Sequence, residues 1–181
     1  MKQNLKVRLA SLLLLAFLPT CAVNAFANPQ KVDPVQSIRK QYTDINKRIG
    51  SYRKVKKELS GFWLEGGQLV AYFDGPAIVK IVANHYSEAG RAFEEYYYSN
   101  QKLIFVFHKE YGYDRPLSGK VVQTFESRFY FENDRLIRWL SAVGRPADDD
   151  IEAFNQKRDQ YLEWSRKFVE GARSRDPIIE A

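Results

Sequence analysis

Thiol and imidazole chemistry are nearly absent from this chain. It has one cysteine, Cys21, and two histidines, His85 and His108, in 181 residues. Cys21 falls inside an N-terminal segment with the outline of a secretory leader, so the expected mature protein carries no cysteine, no disulfide and no thiolate metal site. The usual catalytic signatures are missing too. There is no Gly-x-Ser-x-Gly elbow, no His-Glu-x-x-His, no phosphate-binding glycine loop and no EF-hand pattern. Runs of apolar and small residues are short: the longest, Leu9 to Leu18, is about half of the ~20 residues a membrane-spanning helix requires. No transmembrane span is therefore expected.

That short run is flanked as an export signal is. Lys2, Lys6 and Arg8 precede it, Pro19 breaks it, and Ala25-Phe26-Ala27 supplies the small residues a signal peptidase reads. The expectation is a signal peptide over 1–27, a linker over 28–32, one α+β domain over 33–174 and a flexible tail over 175–181. The protein would work in the periplasm, or secreted. A rival reading of Leu18-Pro19-Thr20-Cys21 as a lipoprotein box is weakened by Pro19 and Thr20, where that box favours small residues.

Charge is unevenly spread. The formal charge of +6 falls to about +3 without the leader. Positive charge gathers in Arg39, Lys40, Lys47, Arg48, Arg53, Lys54, Lys56 and Lys57, opposed locally by Asp44 and Glu58 alone. An asymmetry confined to one segment argues against general nucleic-acid binding. These eight residues are a candidate surface for an anionic envelope component or an acidic protein, against the plainer reading of a solvated helix face.

Asp33-Pro34 reads as a helix start, with an N-cap acceptor followed by proline at the first helical position. From Val35, Ile38, Tyr42, Ile45, Ile49, Tyr52, Val55 and Leu59 recur at steps of three and four. The spacing predicts one long helix ending at Ser60-Gly61. A second helix is predicted over about 148–172. Asp148, Asp149, Asp150 and Glu152 crowd its start and Arg166, Lys167 and Arg173 its end, which complements the helix dipole and leaves little call for calcium at the acidic run.

Between them the chain is β-rich and internally repetitive. The segments 72–81, 97–106 and 130–139 each run aromatic-aromatic, polar turn, two aliphatics, the pattern of a β-hairpin. The fold expected is a six-stranded antiparallel meander of three hairpins, flanked by a long N-terminal and a C-terminal helix. With apolar residues on both strand faces the sheet needs cover on both sides, which leaves a homodimer open. The order of signal peptide, basic helix, Phe73-Asp74-Gly75 hairpin, Tyr96-Tyr97-Tyr98-Ser99-Asn100 hairpin and Tyr130-Phe131-Glu132-Asn133 hairpin resembles small exported bacterial proteins of uncharacterised function. These motifs are structural, so the resemblance implies an architecture and no site residues, activity or cofactor.

In such a meander the connections over about 84–93, 109–124 and 141–147 share one end of the sheet. Long loops on a rigid scaffold are where binding residues collect. The candidate ligand site is therefore His85, Tyr86, Glu88, Arg91, His108, Glu110, Tyr111, Tyr113 and Arg115. His85, Glu88, His108 and Glu110 could serve a hydrolase, although His85-x-x-Glu88 is a weak metal signature and no metal or other cofactor is expected. Glu94-Glu95-Tyr96-Tyr97-Tyr98 would either line a sugar or peptide groove or pave a half-buried sheet. The absences favour a non-enzymatic binding protein, for instance an envelope-associated inhibitor or immunity-type protein, whose partner is a protein or envelope component. A periplasmic hydrolase and an envelope-surface structural protein are the rivals.

Overall fold

The computed structural model describes residues 33–141 and 150–181. The expected leader over 1–27, Cys21, the linker and the residues 142–149 before the second helix lie outside them.

The first helix, α1 (Pro34–Lys47), starts as expected: the Asp33 side chain accepts from the Val35 amide at 3.0 Å. It is half the expected length. A single 3-10 turn at Ile49–Ser51 ends it, and the chain then forms a strand, β1 (Arg53–Ser60). Tyr52, Val55 and Leu59 fit the helical spacing. Val55, Lys57 and Leu59 also alternate, and it is this second pattern that the chain uses. Lys57 obscured it, because a lysine at an inward position reads as polar. Its stem is buried, and its ammonium donates to the carbonyls of Ser174, at 2.8 Å, and Asp176.

Among the described residues seven strands follow: β2 (Gly67–Asp74), β3 (Ala77–Ser87), β4 (Gly90–Ser99), β5 (Lys102–Tyr113), β6 (Val121–Glu132), β7 (Arg135–Leu140) and, after a helix α2 (Ile151–Arg173), β8 (Ile178–Glu180). They form one sheet in the order β7-β6-β5-β4-β3-β2-β1-β8. Strand β8 lies parallel to β1 and every other neighbour pair is antiparallel. The sheet is thus eight-stranded and mixed, not a six-stranded antiparallel meander. The residues expected to be a flexible tail supply its edge: Glu58, Leu59 and Ser60 pair with Ile178, Ile179 and Glu180.

The three repeated segments form the hairpins β2–β3, β4–β5 and β6–β7, each with a two-residue loop: Gly75-Pro76, Asn100-Gln101 and Asn133-Asp134. In the latter two both loop residues take positive φ, as a turn matching the strand twist demands. Each hairpin also carries a bulge at the same place. Tyr72/Phe73 face Lys80/Ile78, Tyr97/Tyr98 face Phe105/Leu103, and Tyr130/Phe131 face Arg138/Leu136. Val79, Ile104 and Ile137 are the extra residues. This explains the paired aliphatics of the repeat. The first of each pair (Ile78, Leu103, Leu136) joins one core, and the inserted one joins the core on the opposite face.

Those two cores are covered by different helices. Helix α1 lies across the hairpin-turn end of one face, where Val35, Ile38 and Ile45 pack with Tyr97, Ile104, Phe105 and Tyr130. Helix α2 crosses the other face from the β7 edge to the β8 edge. Tyr161, Phe168 and Ala172 pack on Leu69, Ala71, Tyr96, Phe129 and Ile179. Its 23 residues reach about 34 Å, close to the width of eight strands at ~4.8 Å spacing. Asp150 caps it, accepting from the Ala153 amide at 3.0 Å.

Candidate functional site

Strand alternation places Ala92, Glu94, Tyr96 and Tyr98 of β4 beneath α2. Glu94 sits directly opposite His108 of β5 and diagonal to His85 of β3, which pairs with Ala92. The result is a bridged carboxylate. His108 Nδ1 lies 2.9 Å from Glu94 Oε1, His85 Nε2 lies 3.3 Å from Oε2, and the Tyr96 hydroxyl donates to Oε2 at 2.6 Å. An ionised carboxylate only accepts, so both rings present an N–H to it. Burial alone would raise the Glu94 carboxyl. Hydrogen bonds from His108 and His85, with their charge, outweigh it and bring the group down to about 2.

The cluster is closed over. Trp63, from the loop after β1, stacks on His85 with centroids 5.8 Å apart, and Trp164 and Phe168 of α2 pack on the same ring at 5.7 and 6.4 Å. Tyr161 sits edge-on to Tyr96. His85 is 0 % exposed, Glu94 1 % and His108 19 %. Among the described residues His85 Nδ1 is buried without a hydrogen-bond partner. Only His108 reaches outward, its Nε2 3.6 Å from Glu110 Oε2. The arrangement can hold a charge and tie β3, β4 and β5 together beneath α2, but it offers a substrate no approach to the carboxylate. Among the described residues no group of three or more His, Cys, Asp or Glu is arranged to hold a metal ion.

The next residue along serves the opposite face in the same way. Glu95 accepts from Lys80 at 2.6 Å and from the Tyr97 hydroxyl at 2.7 Å, and Asn46 of α1 bonds to both Lys80 and Tyr97. Each glutamate of the Glu94-Glu95-Tyr96-Tyr97 run thus takes the hydroxyl of the tyrosine two residues on. With Tyr96, Tyr97 and Tyr98 all buried, the run is core and not an open groove.

The nine candidate ligand residues go to separate places. His85, His108 and Glu110 lie on the α2 side. Tyr86, Arg91 and Tyr111 lie on the other face, around a small cleft of about 210 Å³ with Asn84, Ala92 and Phe93. Glu88 is in the tight β3–β4 turn, Tyr113 ends β5, and Arg115 is in the loop 114–120. The expected long connection over 84–93 is a two-residue turn between Ser87 and Gly90, so both histidines fall on strands. The eight basic residues are divided as well: Arg39, Lys40 and Lys47 are on α1, Arg48 follows it, and Arg53, Lys54, Lys56 and Lys57 are on β1.

The face that α1 occupies is half open. Beyond the helix lie Val70, Val82, Phe93, Tyr86 and Tyr111, of which Tyr86 is exposed and the others half-buried, with Phe107 at the border where it packs on the α1-side core. Phe93 and Phe107 meet at 6.4 Å. Arg91 and Lys109 lie over the Tyr111 ring at 4.8 and 5.4 Å, and Arg128 over Phe107 at 5.4 Å. Sequence reasoning missed this surface and also Glu94, Trp63, Tyr161 and Trp164 as parts of the buried cluster. The one local signal was a glutamate in an alternating row of Ala and Tyr.

No family model, curated protein or solved structure matches the chain.

Proposed function

We propose that this protein is an exported, non-enzymatic binding module that engages a protein or envelope component through the open half of the α1-side sheet face. The observation that carries the reading is the aromatic and basic surface just described: four rings and two valines on a rigid sheet, with Arg91, Lys109 and Arg128 held against the rings. Aromatic side chains combine large contact area with a low ordering cost, and arginine beside them is the composition of interface hot spots. An inhibitor or immunity-type role fits a preformed surface of this kind. The rival hydrolase reading would centre on Glu94 and the histidines, and their enclosure weighs against it. The envelope reading through a basic helix is weakened by the division of its cations between α1 and β1.

The test is a comparison of wild type with an Arg91→Ala/Tyr111→Ala variant, both checked for folding by circular dichroism. Each is immobilised and exposed to the solubilised envelope of the source cell. The expected result is a defined bound component whose recovery falls at least tenfold with the variant. Equal recovery by both, or no component enriched over a blank matrix, would overturn the reading.

A further inference from the structure

The described residues include eight large apolar side chains that are exposed: Leu64, Tyr86, Leu117, Val121, Val122, Phe125, Ile151 and Ile178. Scattered singly, such residues mean nothing; gathered, they mark a contact surface. The first five gather. Strand direction sends the loop 61–66, the turn 88–89, the loop 114–120 and the start of β6 to one end of the sheet, opposite the three hairpin turns. Leu64 is 94 % exposed and Leu117 71 %, and each is at the tip of its loop.

Backbone hydrogen bonds hold these tips together. The Glu65 amide donates to Tyr86 O at 3.1 Å and the Tyr86 amide to Gly66 O at 3.0 Å. The Leu117 amide donates to Glu88 O at 2.8 Å, and the Tyr113 amide to Ala89 O at 2.9 Å. Leu117 has a φ of 59°, a left-handed conformation that costs a branched side chain ~1 kcal/mol or more. A strained leucine turned to solvent on a tethered loop has no explanation in the core.

Charges just behind the tips nearly balance: Arg91, Arg115 and Lys120 stand with Glu65, Glu88, Asp114 and, beside Ser60 at the end of β8, Glu180. The rim therefore exerts no strong pull on a charged partner, and its driving force is apolar. The tips belong to separate loops spread over several strands, so they fit a flat, fluid apolar layer, which receives each tip without a matching pocket.

We propose that this loop end is a bilayer-docking edge, with Leu64 and Leu117 entering the headgroup–acyl boundary of a phospholipid surface. Docking there would leave the aromatic partner face at right angles to the membrane and open. The proposal shares Tyr86 and Arg91 with the partner face but rests on Leu64 and Leu117, which that reading does not use, so the two can fail separately.

The test uses the full chain with Cys21→Ser and a single labelling site: Leu64→Cys, Leu117→Cys or, at the opposite end, Asp134→Cys. Each carries an environment-sensitive fluorophore and is mixed with vesicles of phosphatidylcholine alone or with added phosphatidylglycerol. A several-fold emission rise is expected at 64 and 117 with both vesicle types, and none at 134. Adding Leu117→Asp to the probe at 64 should lower its partition about tenfold. No rise at 64 and 117, an equal rise at 134, or a rise confined to the anionic vesicles would overturn the proposal. A rise at 64 that Leu117→Asp leaves unchanged would mean adsorption through some other segment and would likewise overturn the proposal.

Discussion

Glu94→Gln is the substitution that tests the buried cluster most directly. Glutamine keeps the shape but replaces one acceptor oxygen with an NH2 group, and the carboxylate has three donors around it at 2.6, 2.9 and 3.3 Å. At least one contact becomes donor against donor, and the charge that the imidazoles stabilise is lost. A carboxyl held at about 2, against its ordinary 4.5, stabilises the fold by about 3 kcal/mol at neutral pH. Removing one partner of a buried ion pair costs a similar ~3–5 kcal/mol. For a chain of this size the melting temperature should fall by about 6–12 °C. The pH dependence carries a definite sign. A depressed carboxyl contributes its full stabilisation above the unfolded value and loses it as the pH falls from about 4.5 to about 2. Urea titrations followed by tryptophan fluorescence should therefore show the gap between wild type and variant wide at about pH 7 and shrinking at about pH 3. Shared titrations elsewhere cancel in the difference. A gap under ~1 kcal/mol at neutral pH, or one that is unchanged in acid, would refute the bridged-carboxylate reasoning.

Gly67→Ala would set its new Cβ 2.1 Å from the Asn84 carbonyl oxygen, a backbone atom that cannot swing aside. A loss of more than ~2 kcal/mol is expected in chemical denaturation, whereas Gly50→Ala, with nothing within 4 Å of the new atom, should stay within ~0.5 kcal/mol. Gln101→Gly relieves a φ of 63° in the β4–β5 turn and should stabilise by about 1 kcal/mol, read as a melting temperature raised by about 2–4 °C. Deleting residues 177–181 removes β8, uncovers Leu59 and part of α2, and strips Lys57 of its surroundings; a loss of about 2–4 kcal/mol and faster amide exchange along β1 are expected. A frayed tail would give no change in either measurement.

The legible parts of the fold were those set by near neighbours along the chain. Gly75-Pro76, Asn100 and Asn133 mark turns by their own backbone preferences, and aromatic and β-branched flanks mark the strands beside them. Asp33-Pro34 announced the start of α1, and the charge gradient of α2 announced both of its ends. Failures came where two periods overlap or where the partner is remote. Tyr52, Val55 and Leu59 satisfy a helical spacing, and Lys57 hid the strand alternation because its ammonium is satisfied by carbonyls more than a hundred residues away. The two central residues of the turn, Glu88-Ala89, carry no turn signal, and the flanking Ser87 and Gly90 were passed over as marks of a tight turn, so the segment was read as a long connection and the histidines as loop residues.

By itself the sequence determined the hairpins, their turns and the two-sided apolar character of the strands, because those rest on φ/ψ preference and on side-chain period. Only the tertiary structure decided that Glu94 meets two imidazoles and Glu95 a lysine. Which carboxylate meets which cation depends on register between strands, and register is a property of pairing across the sheet. The same holds for the eighth strand and for the apolar rim: a three-residue strand has no pattern of its own, and exposed leucines on loops fifty residues apart become one surface only when the strands between them are laid side by side.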